Sequence, residues 1–205
     1  MPASPPTKET LPPLPDISMP PAERALMEDH YRRARMILEY GSGGSTVFAT
    51  RHTSAQIISI ESDAAWAENL RAGLVAEGSM RPGVEILHAD IGPTKEWGMP
   101  LTHNEWRRYW ALPMGIWQSG RKPRPDVVMI DGRFRLGCFA AVLLSTEQPV
   151  TVLWDDYTNR KYYHAAEEWV PVAEKVGRMA RFEVTPRALT NADFVRLLPL
   201  FFSSR

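Results

Sequence analysis

The sequence predicts a doubly wound α/β fold, in which helices cover both faces of a mostly parallel, seven-stranded sheet. From residue 36 onwards, short apolar runs alternate with segments of helical periodicity. A glycine-dense turn follows the first of those runs, as it does at the start of many ligand-binding α/β domains. Acidic residues follow several runs directly, at the edge where the carboxyl ends of parallel strands meet.

Composition sets the broad class of the protein. The chain has 205 residues, 44% of them hydrophobic, which suffices for one globular domain with a core. Its formal net charge is zero, so we expect no nucleic acid as the main partner. The single cysteine, Cys138, excludes an intrachain disulfide, suits a reducing compartment and stands among apolar residues as a core side chain would. No apolar run is long enough to cross a membrane and no signal-peptide pattern is present, so we expect a cytoplasmic protein without a membrane partner.

The elements follow in order along the chain. Residues 1–21 form a proline-rich N-terminal arm, which we expect to lie on the domain or on a neighbouring subunit. A single domain follows over residues 22–205. Strands are expected at residues 36–39, 56–61, 84–88, 126–131, 149–154, 181–185 and 194–198, the last two as a C-terminal antiparallel pair. Helices are expected at residues 22–35, 45–52, 63–77, 134–145 and 162–176, the last of them kinked or split by Pro171.

A long insertion between the third and fourth strands interrupts this regular pattern. Residues 91–125 contain four of the seven tryptophans, namely Trp97, Trp106, Trp110 and Trp117. Long connections at the carboxyl edge of a sheet often serve as lids or substrate-binding loops. A small satellite core or a subunit interface explains the same tryptophans equally well, and these explanations do not exclude one another.

The turn at Gly41, Gly43 and Gly44 is the strongest functional signal. Glycines let a ligand approach the backbone, and the start of the next helix offers unpaired N–H groups. Glu61 ends the next apolar run roughly 20 residues later, where an acid would meet the hydroxyls of a ribose. An ordinary strand-to-helix loop and a solvated strand-end charge are the alternatives.

From residue 36 onwards the chain resembles the class I, Rossmann-like methyltransferases, which use S-adenosylmethionine (SAM). The run Glu39-Tyr-Gly41-Ser-Gly43-Gly-Ser45 is similar to their first motif, with Ser45 replacing its third glycine. This resemblance implies that the glycine turn passes close to the methionine part of SAM and that Glu39 helps to hold its ammonium group. A buried acid needs a partner, and a cationic ligand supplies one.

The same resemblance implies roles for two further acids. Glu61 matches the acid that binds the ribose, and Asp90 matches the acid that usually contacts the adenine amino group. The implied cofactor site consists of Glu39, Gly41, Ser42, Gly43, Ser45, Glu61, Ser62, Asp90, Ile91 and Asp131.

A narrower resemblance connects the chain with metal-dependent small-molecule O-methyltransferases. Those enzymes carry an Asp after the fourth strand and an Asp-Asn pair after the fifth, and Asp131 and Asp155-Asp156 match these positions. The match implies a Mg²⁺ site, because three carboxylates suit a hard cation. Asp156 departs from the usual Asn, and Phe134 stands where one branch of these enzymes has a lysine base. The alternative is that the three aspartates shape loops.

Basic residues near the same edge indicate an anionic acceptor, since guanidinium binds oxyanions in a bidentate way. Pairing with the neighbouring aspartates is the alternative. The basic residues are Arg124, Arg133, Arg135, Arg160 and Lys161. The predicted catalytic residues are Asp131, Asp155 and Arg133.

The sequence therefore favours a SAM-dependent methyltransferase that acts on a small molecule. One alternative is a non-catalytic protein of the same fold that binds SAM or a related nucleoside. The other is a nucleotide-dependent oxidoreductase, against which Glu39 and Thr46 argue, because Thr46 occupies the third glycine position of the dinucleotide motif. The arm or the tryptophan-rich insertion is also a possible homo-oligomer contact.

Overall fold

The computed structural model describes residues 11–204 and confirms the α/β architecture. Its strands are β1 (Met36–Tyr40), β2 (Gln56–Glu61), β3 (Val84–His88), β4 (Thr94–Lys95), β5 (Met99–Pro100), β6 (Val127–Ile130), β7 (Val150–Trp154), β8 (Glu174–Val176) and β9 (Met179–Val184). The main sheet has the order β3-β2-β1-β6-β7-β9-β8. Its first five strands are parallel, and β9 and β8 extend it in antiparallel pairs. β4 and β5 form a separate hairpin in the connection after β3.

Local sequence signals explain where the helices begin and end. The helices are α1 (Pro21–Arg33), α2 (Gly44–His52), α3 (Ala64–Glu77), α4 (Ala111–Gln118), α5 (Arg135–Ser145) and α6 (Asn191–Leu197). Pro21 begins α1, since its missing N–H costs nothing in the first turn. The Asp63 carboxylate caps α3 by accepting from the Trp66 N–H at 2.9 Å, and a left-handed Gly78 ends that helix.

The strand order reverses between β1 and β6, and this switch point positions the site. β1 pairs with β2 on one side and with β6 on the other. The Gly41 N–H bonds to the Ile60 carbonyl at 2.8 Å, and the Asp131 N–H bonds to the Tyr40 carbonyl at 3.0 Å. The residues that follow β1, β2 and β6 therefore lie at one edge, where ligands of open α/β sheets bind.

Both faces of the sheet are covered, as a parallel sheet requires. Along β1, Ile37 packs with residues of α1 and α2, whereas Leu38 and Tyr40 pack with residues of α4 and α5. Cys138 is fully buried in α5, which confirms its predicted place in the core. In the part of the chain that the structure describes, no helix is long and apolar enough to cross a membrane.

The C-terminal region corrects two predictions. The helix expected at residues 162–176 is a short 3₁₀ helix, Lys161–Glu168, because Pro171 prevents its continuation and the chain then enters β8. The antiparallel pair exists, but it is β8 with β9, joined through a left-handed Gly177. The strand expected at residues 194–198 is wrong: most of this segment belongs to α6, which Thr190 starts with a capping box.

The insertion at residues 91–125 serves two purposes. Tyr109, Leu112 and Ile116 belong to the main core, whereas Trp97, Trp106 and Trp110 are exposed. The described tryptophans of the insertion therefore do not form a small core of their own, as one of the expectations had it. The Trp117 indole N–H donates to the Tyr40 hydroxyl at 2.7 Å and ties α4 to β1. Trp97, by contrast, lies in the wall of a cavity.

The described part of the N-terminal arm lies on its own domain. Leu14 packs with the cluster of α2, α3 and β3, and Met19 is buried with α1 and α2. Gly44 allows the arm to cross the start of α2, since a Cβ there would overlap the backbone of Asp16. Residues 1–10 of the predicted arm lie outside the described residues. A subunit contact through the arm or the insertion stays a prediction.

This close approach gives a first testable prediction. We expect Gly44→Ala to lower the free energy of unfolding by about 1–3 kcal/mol, because the methyl group must displace the arm backbone. Gly43→Ala is the matched control, since a Cβ at Gly43 meets no heavy atom within 4 Å and its φ of 178° is extended. Thermal unfolding with limited proteolysis of the arm measures both variants; equal stability in the two would contradict the packing described.

Candidate functional site

A cavity of about 750 Å³ lies at the carboxyl edge of the sheet. This volume is typical of small-molecule sites. The strand ends contribute the floor, and the arm and the insertion contribute walls. The lining residues from the arm are Pro15, Asp16, Ile17, Ser18 and Met19; from the sheet edge they are Gly41–Ser45, Glu61, Asp63, Trp66, Asp131–Arg133, Arg135, Asp155, Asp156, Arg160 and Arg178; from the insertion they are Trp97, Gly98 and Met99.

Glycines bring two strand ends into direct contact on this floor. Gly41 has φ +103°, and a Cβ there would lie 2.6 Å from the backbone nitrogen of Gly132. Only glycine combines that conformation with that spacing. Gly43 instead faces open space beside the cavity, where its backbone is accessible to a ligand.

Glu61 organises the neighbouring loop. One carboxylate oxygen accepts from the Ser42 N–H at 3.1 Å, and the other accepts from the N–H groups of Ser62 and Asp63 at 2.7 and 3.0 Å. The side chain also lines the cavity, so it joins the glycine turn to the start of α3. Ser62 is buried and donates its hydroxyl to the Gly98 carbonyl at 3.0 Å, which holds the insertion against β2.

Glu39 lies beneath the cavity rather than in its lining. Its fully buried carboxylate accepts from the Tyr31 hydroxyl at 2.7 Å and from the Thr46 hydroxyl at 2.6 Å. Burial raises the pKa of Glu39, and these hydroxyls oppose that rise. The Thr46 hydroxyl in turn accepts from the Gly43 N–H at 3.0 Å. Glu39 thus has its partners within the chain, and it supports the glycine turn through Thr46.

Hydrogen bonds fix the shape of the turn. The N–H of Ser42 is bonded to Glu61, and the N–H of Gly43 is bonded to Thr46. Both groups precede α2, which begins at Gly44, so ligand binding by the N–H groups at the start of that helix stays a prediction.

Three aspartates and three arginines form an ion-pair cluster at the ends of β6 and β7. Arg178 donates two hydrogen bonds, of 2.9 and 2.7 Å, to the Asp155 carboxylate. Arg160 donates to Asp156 at 2.6 Å. The buried Arg135 donates to the Asp131 carboxylate at 3.1 Å and to the main-chain carbonyls of Asp131, Gly132 and Asp155.

This cluster argues against the predicted Mg²⁺ site. Oxygens of Asp131, Asp155 and Asp156 do lie within 4.8 Å of one another, as a metal site requires. Each carboxylate is nevertheless already paired with at least one arginine, which supplies the positive charge that a cation would bring. The residues present therefore do not fit a resident divalent cation.

Asp131 has a strongly perturbed carboxyl group. Burial raises its pKa to about 7; the Arg135 guanidinium opposes this rise, and the neighbouring Asp155 and Asp156 add to it. Among residues 11–204, no hydrogen bond reaches its second carboxylate oxygen, Oδ2. Asp131 is thus a cavity-lining acid with one free oxygen and a pKa near neutrality.

Arg133 and Arg135 have different surroundings although only one residue separates them. Arg135 pairs with Asp131 and Asp156, which is the alternative that the sequence left open for these basic residues. Arg133 lines the cavity, and its Nε donates to the Trp97 carbonyl at 2.9 Å. Burial and the nearby Arg135 lower the pKa of Arg133.

Some predicted residues lie elsewhere. Asp90 is half exposed and pairs with Arg108, and Ile91 is buried in the core, so neither lines the cavity. Arg124 pairs with Glu147 away from this site, and Lys161 is exposed. The predicted cofactor residues that do line the cavity are Gly41, Ser42, Gly43, Ser45, Glu61 and Asp131. The predicted catalytic residues Asp131, Asp155 and Arg133 line it as well.

Sequence reasoning missed two parts of the site. Arg178 stands in the β8–β9 turn, and the only clue was the preceding Gly177, a turn signal. The arm segment 15–19 has no periodicity that would place it against the cavity. Trp66 also lines the cavity; it is 44% exposed and donates its indole N–H to the Ser42 carbonyl at 2.7 Å.

The chain is similar to several solved structures. A methyltransferase-like protein from Silicibacter pomeroyi DSS-3 shares 40% identity with a TM-score of 0.85, over 93% of this chain and 98% of that protein. A methyltransferase from Geobacter sulfurreducens shares 14% identity with a TM-score of 0.52, over 83% and 81% of the two chains. A 16S rRNA N2 G1207 methyltransferase from T. thermophilus, solved with AdoMet and guanosine, shares 16% identity with a TM-score of 0.52, over 83% of this chain and 44% of that one. The last two likenesses concern the fold alone. No protein-family model matches this chain, and no curated protein sequence matches it either.

The raised pKa of Asp131 predicts a pH dependence of stability. An aspartate has a pKa of about 3.9 in the unfolded chain, whereas Asp131 has a pKa of about 7 in the fold. The protonated Asp131 carboxyl group therefore stabilises the fold below about pH 4, and this contribution is lost as the pH rises through about 7. The free energy of unfolding of Asp131→Asn relative to the native chain should therefore rise between about pH 4 and pH 7. Three pKa units amount to about 4 kcal/mol, and we expect roughly half of that because the side chain is 32% exposed.

Urea unfolding at several pH values measures this difference. Glu68→Gln, which removes an exposed carboxylate from α3, is the control for the loss of a surface charge. A difference for Asp131→Asn that does not change with pH would contradict the assigned pKa.

Proposed function

We propose that this chain, which belongs to the class I methyltransferase-like family, is a SAM-dependent methyltransferase with a small-molecule acceptor. The observation that carries the proposal is the meeting of the glycine turn, Glu61 and Asp131 in one cavity at the topological switch point. The relative at 40% identity over nearly the full length of both chains supports the same class of activity. The fold by itself would not, since one fold hosts many functions.

The cavity residues fit a nucleoside cofactor. Gly43 leaves open space in which a ligand can approach the backbone. Glu61 presents a carboxylate held by three main-chain N–H groups, an arrangement that fixes it to accept from ribose hydroxyls. Ser42 and Ser45 line the same side. When bound, SAM supplies an activated methyl group.

Four of the predicted cofactor residues do not line the cavity, namely Glu39, Ser62, Asp90 and Ile91. Glu39 acts through Thr46, which holds the Gly43 N–H, and it is a positioning residue rather than a direct ligand of the ammonium group. Ser62 positions the insertion through the Gly98 carbonyl. Contacts of Asp90 and Ile91 with adenine stay predictions.

Asp131 is the proposed proton acceptor. Asp131 lines the cavity, its Oδ2 accepts no hydrogen bond from residues 11–204, and its pKa of about 7 suits a base that works near neutral pH. This oxygen would take up the proton that the acceptor's nucleophilic atom loses on receiving the methyl group, with the demethylated cofactor as the other product. Arg135 holds the other oxygen and fixes the orientation of the carboxylate. Asp155 is proposed to have a structural role, since its carboxylate pairs with Arg178 and its main-chain carbonyl accepts from Arg135.

The remaining partner predictions belong to this proposal. A small acceptor is favoured because the cavity is walled on two sides, by the arm and the insertion. The buried cysteine is compatible with a reducing compartment, and a cytoplasmic location stays a prediction.

Calorimetric titration with SAM and S-adenosylhomocysteine (SAH) tests the cofactor assignment. We expect both to bind, and we expect Gly43→Ala to weaken the binding about tenfold or more without loss of fold, because its methyl group would occupy the accessible space. Glu61→Gln should weaken binding as well, whereas Glu85→Gln, on β3 outside the cavity lining, should not. EDTA and added Mg²⁺ should leave the affinities unchanged. Absence of binding to either compound would refute the proposal.

The role of Asp131 is tested by SAH release across a panel of small hydroxylated and amino compounds. We expect Asp131→Asn to lower turnover by about 10²–10⁴-fold, because an amide cannot accept the proton but keeps the bond from Arg135. Unchanged turnover would remove Asp131 from the mechanism. SAM binding with no transfer to any acceptor would favour a non-catalytic binding protein.

A further inference from the structure

Four arginines line the cavity, and one of them is unlike the others. Arg135, Arg160 and Arg178 are each paired with an aspartate of the cluster. Arg133 makes no ion pair with any carboxylate of residues 11–204. Among residues 11–204, its side chain makes one hydrogen bond, from Nε to the Trp97 carbonyl. The two terminal nitrogens of Arg133 therefore form the guanidinium edge that remains available to a ligand.

A half-buried cation of this kind favours an anionic partner. Charged groups that lose water are normally paired, because an uncompensated charge in a low-dielectric site is costly. The three aspartates of the ion-pair cluster are already paired with the other three arginines. A carboxylate on a ligand would match the planar guanidinium edge in a bidentate way.

Trp97 stands beside Arg133 in an exposed and strained position. It is 82% exposed, and its φ of 62° is left-handed, a conformation that side chains other than glycine rarely adopt. Two hydrogen bonds hold this segment in place, from Arg133 to the Trp97 carbonyl and from Ser62 to the Gly98 carbonyl. No ring–ring or cation–π contact with another described residue engages the Trp97 indole.

An exposed aromatic ring without ring partners in a cavity wall is a binding surface for a flat ligand. Strained, well-held backbone concentrates at functional sites, and folding alone would favour glycine at this position. Trp106 provides the contrast, since its ring packs on Phe202 and lies under Arg107. The Trp97 indole and the Arg133 guanidinium thus offer a flat apolar surface and an anion site side by side.

We propose that Arg133 and Trp97 recognise the methyl acceptor, and that this acceptor is a small aromatic molecule bearing a carboxylate. This inference rests on the proposed function, since it names the substrate class of that same cavity. Arg133 binds the carboxylate, and the indole of Trp97 stacks on the aromatic ring. Neither residue is assigned to the cofactor.

The test uses matched pairs of ligands, aromatic hydroxycarboxylic acids and their carboxamides, which differ only in charge. Ligand-observed NMR measures their binding to the full chain saturated with SAH. We expect at least one acid to bind about tenfold or more tightly than its amide, as a charge-assisted contact predicts. If no acid binds better than its amide, the inference is wrong.

Variants then separate the two residues. Arg133→Gln should remove the preference for the acid and leave the affinity of the amide unchanged. Trp97→Ala should weaken acid and amide alike. Arg124→Gln, whose arginine pairs with Glu147 outside the cavity lining, is the control and should change neither. A preference for the acid that survives Arg133→Gln would overturn the assignment of Arg133.

Trp97→Gly distinguishes a ligand-binding role from a structural one. We expect its melting temperature to stay within about 4 °C of the native value, because glycine tolerates the left-handed backbone, while ligand affinity falls as in Trp97→Ala. A large loss of stability would mean that Trp97 is retained for folding, which contradicts the inference.

SAH titration of each variant keeps the two proposals apart. Unchanged SAH affinity in Arg133→Gln and Trp97→Ala is expected. Loss of SAH affinity in Trp97→Ala would assign the indole to the cofactor and overturn the inference while leaving the methyltransferase proposal intact. Failure of the native chain to bind SAH would refute the proposed function, and with it an inference about a methyl acceptor.

Discussion

Three aspartates crowd the ends of β6 and β7, and their mutual repulsion is the constraint on which the cavity floor depends. Unpaired, such carboxylates would be costly to hold so close together. Arg135 relieves the repulsion from the first turn of α5, and its bonds to main-chain carbonyls also hold the two strand ends together. Arg178 also relieves the repulsion, because it donates two hydrogen bonds from the β8–β9 turn to the Asp155 carboxylate. That turn is docked on α1, where the buried Glu23 accepts from the Arg178 N–H at 2.9 Å. The cavity floor is therefore stabilised by α1, which precedes the sheet, and by the β8–β9 hairpin at the edge of the sheet.

The same network explains why a metal-site pattern in the sequence is not a metal site in the structure. Three oxygens at suitable distances satisfy the geometric requirement for a cation, but charge neutrality is already achieved by arginines. Asp131 remains the exception within the cluster. Arg135 engages one of its oxygens and leaves the other free, and burial with two neighbouring carboxylates raises its pKa to about 7. A structural ion-pair cluster thereby yields one acid suited to proton transfer.

Those parts of the site that follow directly from the sheet could be predicted from the sequence. Gly41, Glu61, Asp131 and Asp155 each end a buried apolar run, and parallel strands must bring such ends together. Arg178 could not be predicted, because its position depends on a hairpin that docks against a residue 155 positions away. The C-terminal elements were misassigned for a similar reason, since short apolar segments are compatible with strand or helix until the capping box at Thr190 decides.

Backbone strain reveals how the acceptor side of the cavity is built. Among residues 11–204, the non-glycine residues with left-handed backbone are Trp97, Lys122, Phe134 and Asp156, and three of these lie in or beside the cavity. Phe134 is fully buried against Tyr109 of the insertion, with ring centroids 4.8 Å apart. Its left-handed turn separates its neighbours, so that Arg135 reaches the aspartates whereas Arg133 reaches the Trp97 carbonyl. The insertion thus fixes, through one packed ring, the turn that leaves a guanidinium edge available in the cavity. The sheet supplies the cavity floor, and these strained loops supply the wall that we propose selects the acceptor.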